Sequence, residues 1–464
     1  MRGAHDRALR YHPTRVMTTP YQATPGAIRV VHAVGWYFPE STGGTEVYVS
    51  GLVAHLQARG VDVRVVAATS SNEPSDYDWN GVPVHRYPVP TSSTEQVRAM
   101  APPARLDEFE SWLATQQADI YHQHSWVHGC GLDHLRVARR LGLRTVLTVH
   151  VPGVVCLRGT MLLHGTTPCD GTIERGRCAE CWGEVRGVPA LLRRWQGQHP
   201  DASDALARMV RVGAPARALS TPGLVERHAA RLQEAFELSD RVVAVAQWLR
   251  DALAANGAPA SKLVYCAQGL AEPATAAPIR SRSTSGPLRV GYLGRLDPQK
   301  GVHVLVDAVR RIPELPVTLT IHGIPYDDAY RAELVELAGG DLRIQFAAPV
   351  GRDQLFETLS ALDVLGVPST WMETGPLVVL EALGCGTPVF GSDRGGIREL
   401  LTGVDGCRLL PAGDVTAWQS ALTQAAAHPP ARIATVVRTS DEVATDMADL
   451  YRSMAAVRTT TGPA

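Results

Sequence analysis

Residues 28–34 form a β-branched run interrupted by Arg29, His32 and Ala33, and a glycine-bearing stretch from Gly35 to Gly44 follows it. From Glu46 to Arg59 the apolar positions change spacing to Val49, Leu52, Val53 and Leu56, the three-and-four rhythm of a helix with one buried face. Residues 61–66 return to a strand pattern. Strand, helix and strand in so short a span make a βαβ unit, whose crossover implies a parallel sheet. The same reading predicts strands at 82–87, 120–123 and 144–150, a helical stretch over 182–238, and strands at 241–246 and 263–266.

Residues 271–287 are Ala, Pro, Ser, Thr and Arg with almost nothing to bury, which reads as a linker. A fresh strand pattern begins at Leu288. Strands at 317–321, 343–346, 364–367 and 388–391, and one near Arg408, then alternate with helices. The chain therefore reads as two Rossmann-like, doubly wound α/β domains, 28–270 and 288–438, after a leader at 1–27 and before a helix and tail at 439–464.

Composition narrows the function. With 464 residues, a net charge of −1 and 45% hydrophobic residues, the chain is an ordinary globular protein of two-domain size, without the basic excess that nucleic-acid binding needs. No apolar run reaches transmembrane length, and the first residues lack the apolar core of a secretory signal; Met17 is an alternative start. Eight cysteines in so long a chain suit a reducing compartment, so a cytoplasmic location, at most membrane-peripheral, is expected.

The strongest chemical signal is Trp371-Met-Glu-Thr-Gly-Pro-Leu-Val-Val-Leu-Glu381. Glu373 falls in the loop leaving a strand, and Glu381 follows slightly over two turns along the next helix. Both carboxylates can then face the crevice outside the carboxyl ends of the strands, where open sheets bind ligands. Arg295 and Lys300, in Gly294-Arg-Leu-Asp-Pro-Gln-Lys-Gly301, supply a fork and a point charge suited to a diphosphate. Gly43 and Gly44, just before the first helix, let the backbone approach a phosphate closely. The GxGxxG and GxxxxGK[ST] patterns are missing, which weakens NAD binding and Walker-type hydrolysis.

This ordered set, with Thr148-Val-His150 and Gly386-Thr-Pro-Val-Phe-Gly-Ser-Asp393, resembles the retaining glycosyltransferases of the GT-B fold, family four, over roughly residues 28–455. The resemblance implies two domains facing across a cleft, with a last helix, 441–454, crossing back to the first domain. It implies a nucleotide-diphosphate sugar donor held by Arg295, Lys300 and Gly294, ribose hydroxyls on Glu381, and the transferred sugar beside Glu373. Gly43 and Gly44 would close on the diphosphate, and His150 would meet the sugar. Gly375, Pro376 and Leu377 complete the donor-binding set. Pro376 removes one N–H that could have served the sugar, and Ala246 and Gln268 depart from the family's usual Ser and Asn. The resemblance implies that no cofactor is required for the chemistry. The acceptor hydroxyl is left open among saccharides, lipid-linked carriers and small natural products. Competing readings are a sugar-nucleotide-binding partner without turnover, a nucleotide-sugar epimerase of the same fold, and a zinc hydrolase built on histidines.

Cys156, Cys169, Cys178 and Cys181 cluster in one segment, with the last two in a CxxC pair. That pattern admits a tetrahedral structural zinc, reduced thiols or disulfides. His122, His124, His128 and His134 lack a suitably spaced carboxylate and read as packing or hydrogen-bonding groups. Asp76-Tyr-Asp78 spells a metal-binding DxD but falls in an expected polar loop. Leu191-Leu-Arg-Arg-Trp195 reads as a surface helix.

Overall fold

A computed structural model describes residues 26–90, 102–210, 212–271, 286–325 and 327–460. Most of the expected leader, most of the linker, Tyr326 and the last four residues lie outside the described residues. The chain divides into two compact units. Among the described residues, the second is Gln268–Thr439; the first is the residues up to Ala267 together with those from Ser440 onward.

The first unit contains β1 (Arg29–Val34), β2 (Asp62–Thr69), β3 (Ser75–Trp79), β4 (Val82–Pro88), β5 (Ile120–Gln123) and β6 (Arg144–Val149). A small hairpin of β7 (Leu162–Leu163) and β8 (Thr167–Pro168) follows, then β9 (Arg241–Ala244) and β10 (Leu263–Tyr265). Apart from the hairpin these form an eight-stranded sheet in the order β10-β9-β6-β5-β1-β2-β4-β3. Every pair is parallel except β3–β4. Strand order reverses direction between β1 and β5, which pair directly, His32 opposite His122.

The second unit contains β11 (Leu288–Leu296), β12 (Val317–Pro325), β13 (Ile344–Ala347), β14 (Val364–Val367), β15 (Val389–Ser392) and β16 (Arg408–Leu410). They form one six-stranded parallel sheet, ordered β13-β12-β11-β14-β15-β16. This is the order of a dinucleotide-binding sheet, with its switch point between β11 and β14. β-Branched and leucine runs such as Val364–Val367 are buried on both faces, as a sheet covered by helices requires.

The helical stretch expected over 182–238 is a succession of helices, Arg175–Val185, Ala190–Gln198, Pro200–Val210, Gly213–Leu219 and Thr221–Leu238. The expected loop holding Asp76-Tyr-Asp78 is instead the edge strand β3. Asp76 there pairs with His85 at 2.9 Å, Asp78 accepts from the Gly81 amide, and the Tyr77 hydroxyl donates to the Phe38 carbonyl. Both carboxylates have structural partners there.

The last helix, Ser440–Thr460, belongs to the first unit. Val443, Ala444, Met447, Ala448, Tyr451 and Met454 recur at helical spacing and are buried in the same core as Val49, Leu52 and Leu56 of the helix Gly44–Ala58. Arg59 and His55 meet Asp441 in the first turn at 2.7 and 3.2 Å. No helix among the described residues is long and apolar enough to cross a membrane.

Candidate functional site

Arg295 lies in the last residues of β11, and Lys300 ends the short turn Pro298–Lys300 just beyond it. Gly301 makes the next step possible. Its φ of 70° is left-handed, and a Cβ there would collide with the Pro368 carbonyl at the end of β14. The turn after β11 is thus pressed against the strand across the switch point, and Lys300 Nζ donates to Glu373 Oε1 at 2.7 Å. Ser369 Oγ donates to the same oxygen at 2.7 Å, and the Trp371 ring lies 5.4 Å from the ammonium.

Glu373 is buried, which by itself would raise its carboxyl pKa. The Lys300 ammonium and the two hydrogen bonds outweigh that and hold the group below the ordinary carboxylate range. Behind it, the Gly396 amide donates to the Glu373 carbonyl at 2.6 Å, and any Cβ on Gly396 would run into the backbone of Thr374 and Gly375. The Gly395-Gly396 pair therefore lets the helix Gly395–Leu401 brace the glutamate loop.

Pro376 caps the helix Leu377–Gly384, whose first amides, at Leu377 and Val378, have no intrahelical acceptor by construction. Glu381 is buried on this helix and accepts from Arg352 Nη1 at 2.7 Å. Arg352 and Ser369 escaped the sequence reading. Arg352 follows β13, so the same carboxyl-end rule could have found it. Arg295 is half-exposed and 3.8 Å from Asp297. Tyr292, buried beside Gly294, donates its hydroxyl to the Arg295 carbonyl at 2.6 Å. Burial raises that phenol's pKa first, and the nearby Glu373 carboxylate adds to it. His322, at the end of β12, is joined to the Ala348 carbonyl beyond β13 at 2.9 Å.

In the first unit the switch point carries a different chemistry. Gly43 is the N-cap of the helix Gly44–Ala58; Glu46 in its first turn is fixed by Ser41 at 2.8 Å and lies close against Gly43, while the space over Gly44 is open. The loop before it is held by Arg86, fully buried on β4, which donates to the carbonyls of Ala68, Tyr37 and Phe38 at 3.1, 2.7 and 3.0 Å. His150 lies just past β6. Its Nε2 is 3.2 Å from His124 Nδ1, and His124 Nε2 is 3.0 Å from His32 Nδ1. Because a neutral imidazole has one donor, His124 must donate through one nitrogen and accept through the other, so the row of rings is polarised in one direction.

His122 stands alongside, its nitrogens 2.5 Å from the Tyr451 hydroxyl and 2.6 Å from Thr148 Oγ1. Burial pulls His32 and His150 down to about 3, and His122 and His124 well below the usual imidazole range, so all four are neutral at pH 7. His122 and His124 share a face as expected. The third member, His32, comes from β1, and sequence spacing alone gave no sign of it. His134 lies apart, bonded to Tyr87 at 2.8 Å.

The four clustered cysteines are all reduced, and their residues surround one small pocket in the first unit. Leu191 is 81% exposed, on the surface helix expected there.

Two family profiles match the chain. Glycosyl transferases group 1 covers residues 287–428, and Glycosyl transferase 4-like domain covers residues 43–269. The chain is a family 4 glycosyltransferase of the GT-B fold. It is 28% identical to a D-inositol 3-phosphate glycosyltransferase of Saccharomonospora viridis over 85% of this chain and 83% of the relative. A protein of the same name from Xylanimonas cellulosilytica is 29% identical over 88% of this chain and 91% of the relative. Among solved structures, sucrose-phosphate synthase of Thermosynechococcus elongatus aligns with a TM-score of 0.62, 19% identity and coverage of 93% of this chain and 100% of that one. HepE of Anabaena, in complex with UDP and glucose, aligns at 0.57 with 15% identity over 94% and 100%. As a glycosyltransferase of this family the protein transfers a sugar, with retention, from a nucleotide-diphosphate sugar to an acceptor hydroxyl. Enzymes of the group generally need no cofactor for that chemistry.

Proposed function

We propose that the second unit of this glycosyltransferase binds the donor at the β11–β14 switch point, with each charged side chain in a separate role. Lys300 and Arg295 meet the diphosphate, aided by the Gly294 backbone and the amides at Leu377 and Val378 beyond the Gly375-Pro376 turn. Glu381, oriented by Arg352, accepts from the ribose hydroxyls, and Glu373 accepts from the transferred sugar. The segments joined by His322 and Ala348 border the base. For the first unit, the family resemblance assigns Gly43 and Gly44 to a diphosphate and His150 to a sugar. The observation that carries this reading is the Lys300–Glu373 pair, which sets a cation and a buried carboxylate 2.7 Å apart at the point where such sheets bind nucleotides.

The chemistry follows from charge development. As the anomeric carbon becomes oxocarbenium-like, negative charge gathers on the departing diphosphate, and a fixed ammonium and guanidinium stabilise it without reorganising. Attack on the face the leaving group departs from, with the donor phosphate taking the acceptor proton, retains configuration and requires no carboxylate nucleophile. We take UDP-sugars as the first donors to try, because HepE binds UDP and UDP-glucose. A phosphorylated polyol is the first acceptor to try, because the curated relatives are named for D-inositol 3-phosphate. We place the reaction in the cytoplasm, in keeping with eight reduced thiols.

Thermal unfolding with UDP, GDP, ADP and their sugars tests the site. A nucleotide at about 100 times its dissociation constant adds roughly 2.7 kcal/mol of stability. Arg352→Ala is expected to weaken that stabilisation, and Glu373→Ala to abolish nucleotide release while sparing it. Stabilisation by no nucleotide, or unchanged turnover in Glu373→Ala, overturns the reading.

A further inference from the structure

The segment after β6 has little regular secondary structure. Between the turn Pro152–Val154 and the helix Arg175–Val185, its only regular structure is the pair of two-residue strands β7 and β8. Backbone bonds give it a fixed path: the Cys169 amide donates to the Met161 carbonyl at 2.9 Å and the Gly159 amide to the Cys156 carbonyl at 2.8 Å. Along that path Cys156 and Cys169 arrive at the pocket that Cys178 and Cys181 face from successive turns of the helix.

We propose that Cys156, Cys169, Cys178 and Cys181 together bind one structural zinc ion. Four free cysteines around one pocket supply a soft donor set of the number a closed structural zinc site takes, which would leave no position for substrate. The surroundings suit bound thiolates. The His164 amide donates to Cys181 Sγ at 3.2 Å, the kind of outer contact that orients a metal ligand. Four thiolates with a divalent ion leave two negative charges, and Arg158 and Arg177 both line the pocket. Arg158 is anchored to the Cys181 carbonyl at 3.1 Å and Arg177 to Asp170 at 2.7 Å.

Among the described residues, His32, His122 and His124 bring three ligand atoms within 4.8 Å of one another, whereas the four cysteines line one pocket without forming so tight a group, so zinc binding would draw their sulfurs together. The thiols lose little by doing so, their own hydrogen bonds being 3.7 to 4.0 Å long. His122, in contrast, would have to give up bonds of 2.5 and 2.6 Å. The zinc would staple the segment that follows His150 directly in the chain.

The test reads metal, independently of sugar transfer. Full-length protein is purified without added chelator, and zinc and iron are measured by elemental mass spectrometry. About one zinc per chain is expected, released in proportion to mercurial blocking of thiols. Cys178→Ser/Cys181→Ser is expected to lower zinc at least about tenfold. Should that variant fail to fold, wild-type protein reloaded with cobalt(II) alone is expected to show the intense sulfur-to-metal absorption of a tetrahedral thiolate site. Zinc below about a tenth per chain, stoichiometric iron, or a disulfide among these cysteines in the unreduced protein overturns the proposal. None of these outcomes bears on whether the second unit binds a nucleotide.

Discussion

Between β11 and β14 the buried polar groups are charged and already matched: Lys300 holds Glu373, and Arg352 holds Glu381. Between β1 and β5 they are imidazoles, bonded to one another and to hydroxyls, and neutral at pH 7. The same kind of sheet, at the same kind of topological crossing, has been filled in two ways. A matched ion pair can exchange partners, since an ammonium on a carboxylate can turn to a phosphate while the carboxylate turns to a hydroxyl. The pair must remain balanced, because removing one partner of a buried pair strands the other at a cost of about 3–5 kcal/mol. A row of neutral rings has no charge to exchange. It offers fixed donors and acceptors, which suit hydroxyl groups, and it avoids the cost of desolvating ions.

The largest expected effect comes from breaking the charged side of this contrast. Lys300→Ala should lower kcat by about 10²–10³, or roughly 3–4 kcal/mol of transition-state stabilisation. It should also destabilise the second unit, since Glu373 is left buried without its cation. Adding Glu373→Gln should restore stability and leave turnover low, because the contact with the leaving group is still missing and the carboxylate that serves the sugar is gone as well. Steady-state nucleotide release and urea unfolding on the two variants decide the matter. If the double variant regains turnover to within about threefold of wild type, Lys300 serves the fold and not the reaction.

Much of this arrangement could be read from sequence because it follows from local pattern. β5 and β14 were placed to the residue, since a run such as Val364–Val367 between turn signals has one reading when both faces are buried. Glu373, Lys300 and Glu381 could be found because each lies at a fixed offset from the end of a strand. β3 was missed because it is a polar edge strand whose pairing with β4 decides its conformation. Arg86, His32 and Tyr451 were missed for a related reason. A buried polar side chain is recognisable only by its partner, and the partner of His122 lies 329 positions away. The destination of the last helix came from family resemblance; its apolar spacing showed only that one face is buried.

Acid should separate the two regions next. His32, His134 and His150 are lowered by burial to about 3 and His228 to about 4, all in the first unit. Unfolded, each titrates near 6.5, so above that pH neither state binds the proton and the stability is intact. As pH falls from about 6.5 towards 3, only the unfolded chain gains protons, and the first unit is progressively weakened. In the second unit His303 is lowered, again by burial, and the stability Glu373 supplies is intact above its ordinary value of 4.5 and is lost only below it. Urea unfolding read by pulse proteolysis, with cleavage sites mapped to each unit, should show the first unit losing more between about pH 7.5 and pH 5. Equal losses would mean that the rings are not held neutral.

The smallest expected effect concerns how the neutral row is closed. Tyr451, fully buried on the last helix, is hydrogen-bonded through its hydroxyl to His122 Nδ1, so the last helix supplies a partner to a ring on β5. Tyr451→Phe keeps the ring and its packing and removes only that hydroxyl, leaving one buried imidazole nitrogen without a partner. The cost should be about 1–2 kcal/mol, measured as a drop in unfolding midpoint at unchanged urea slope. His122 should respond as well. With Thr148 Oγ1 on its other nitrogen, its tautomer balance should shift, visible in the nitrogen chemical shifts of histidine-labelled protein, whereas the Lys300–Glu373 pair and donor stabilisation should not change. A variant as stable as wild type, with His122 unchanged, would show that the ring's orientation comes from packing within the sheet and that the last helix contributes only its apolar face.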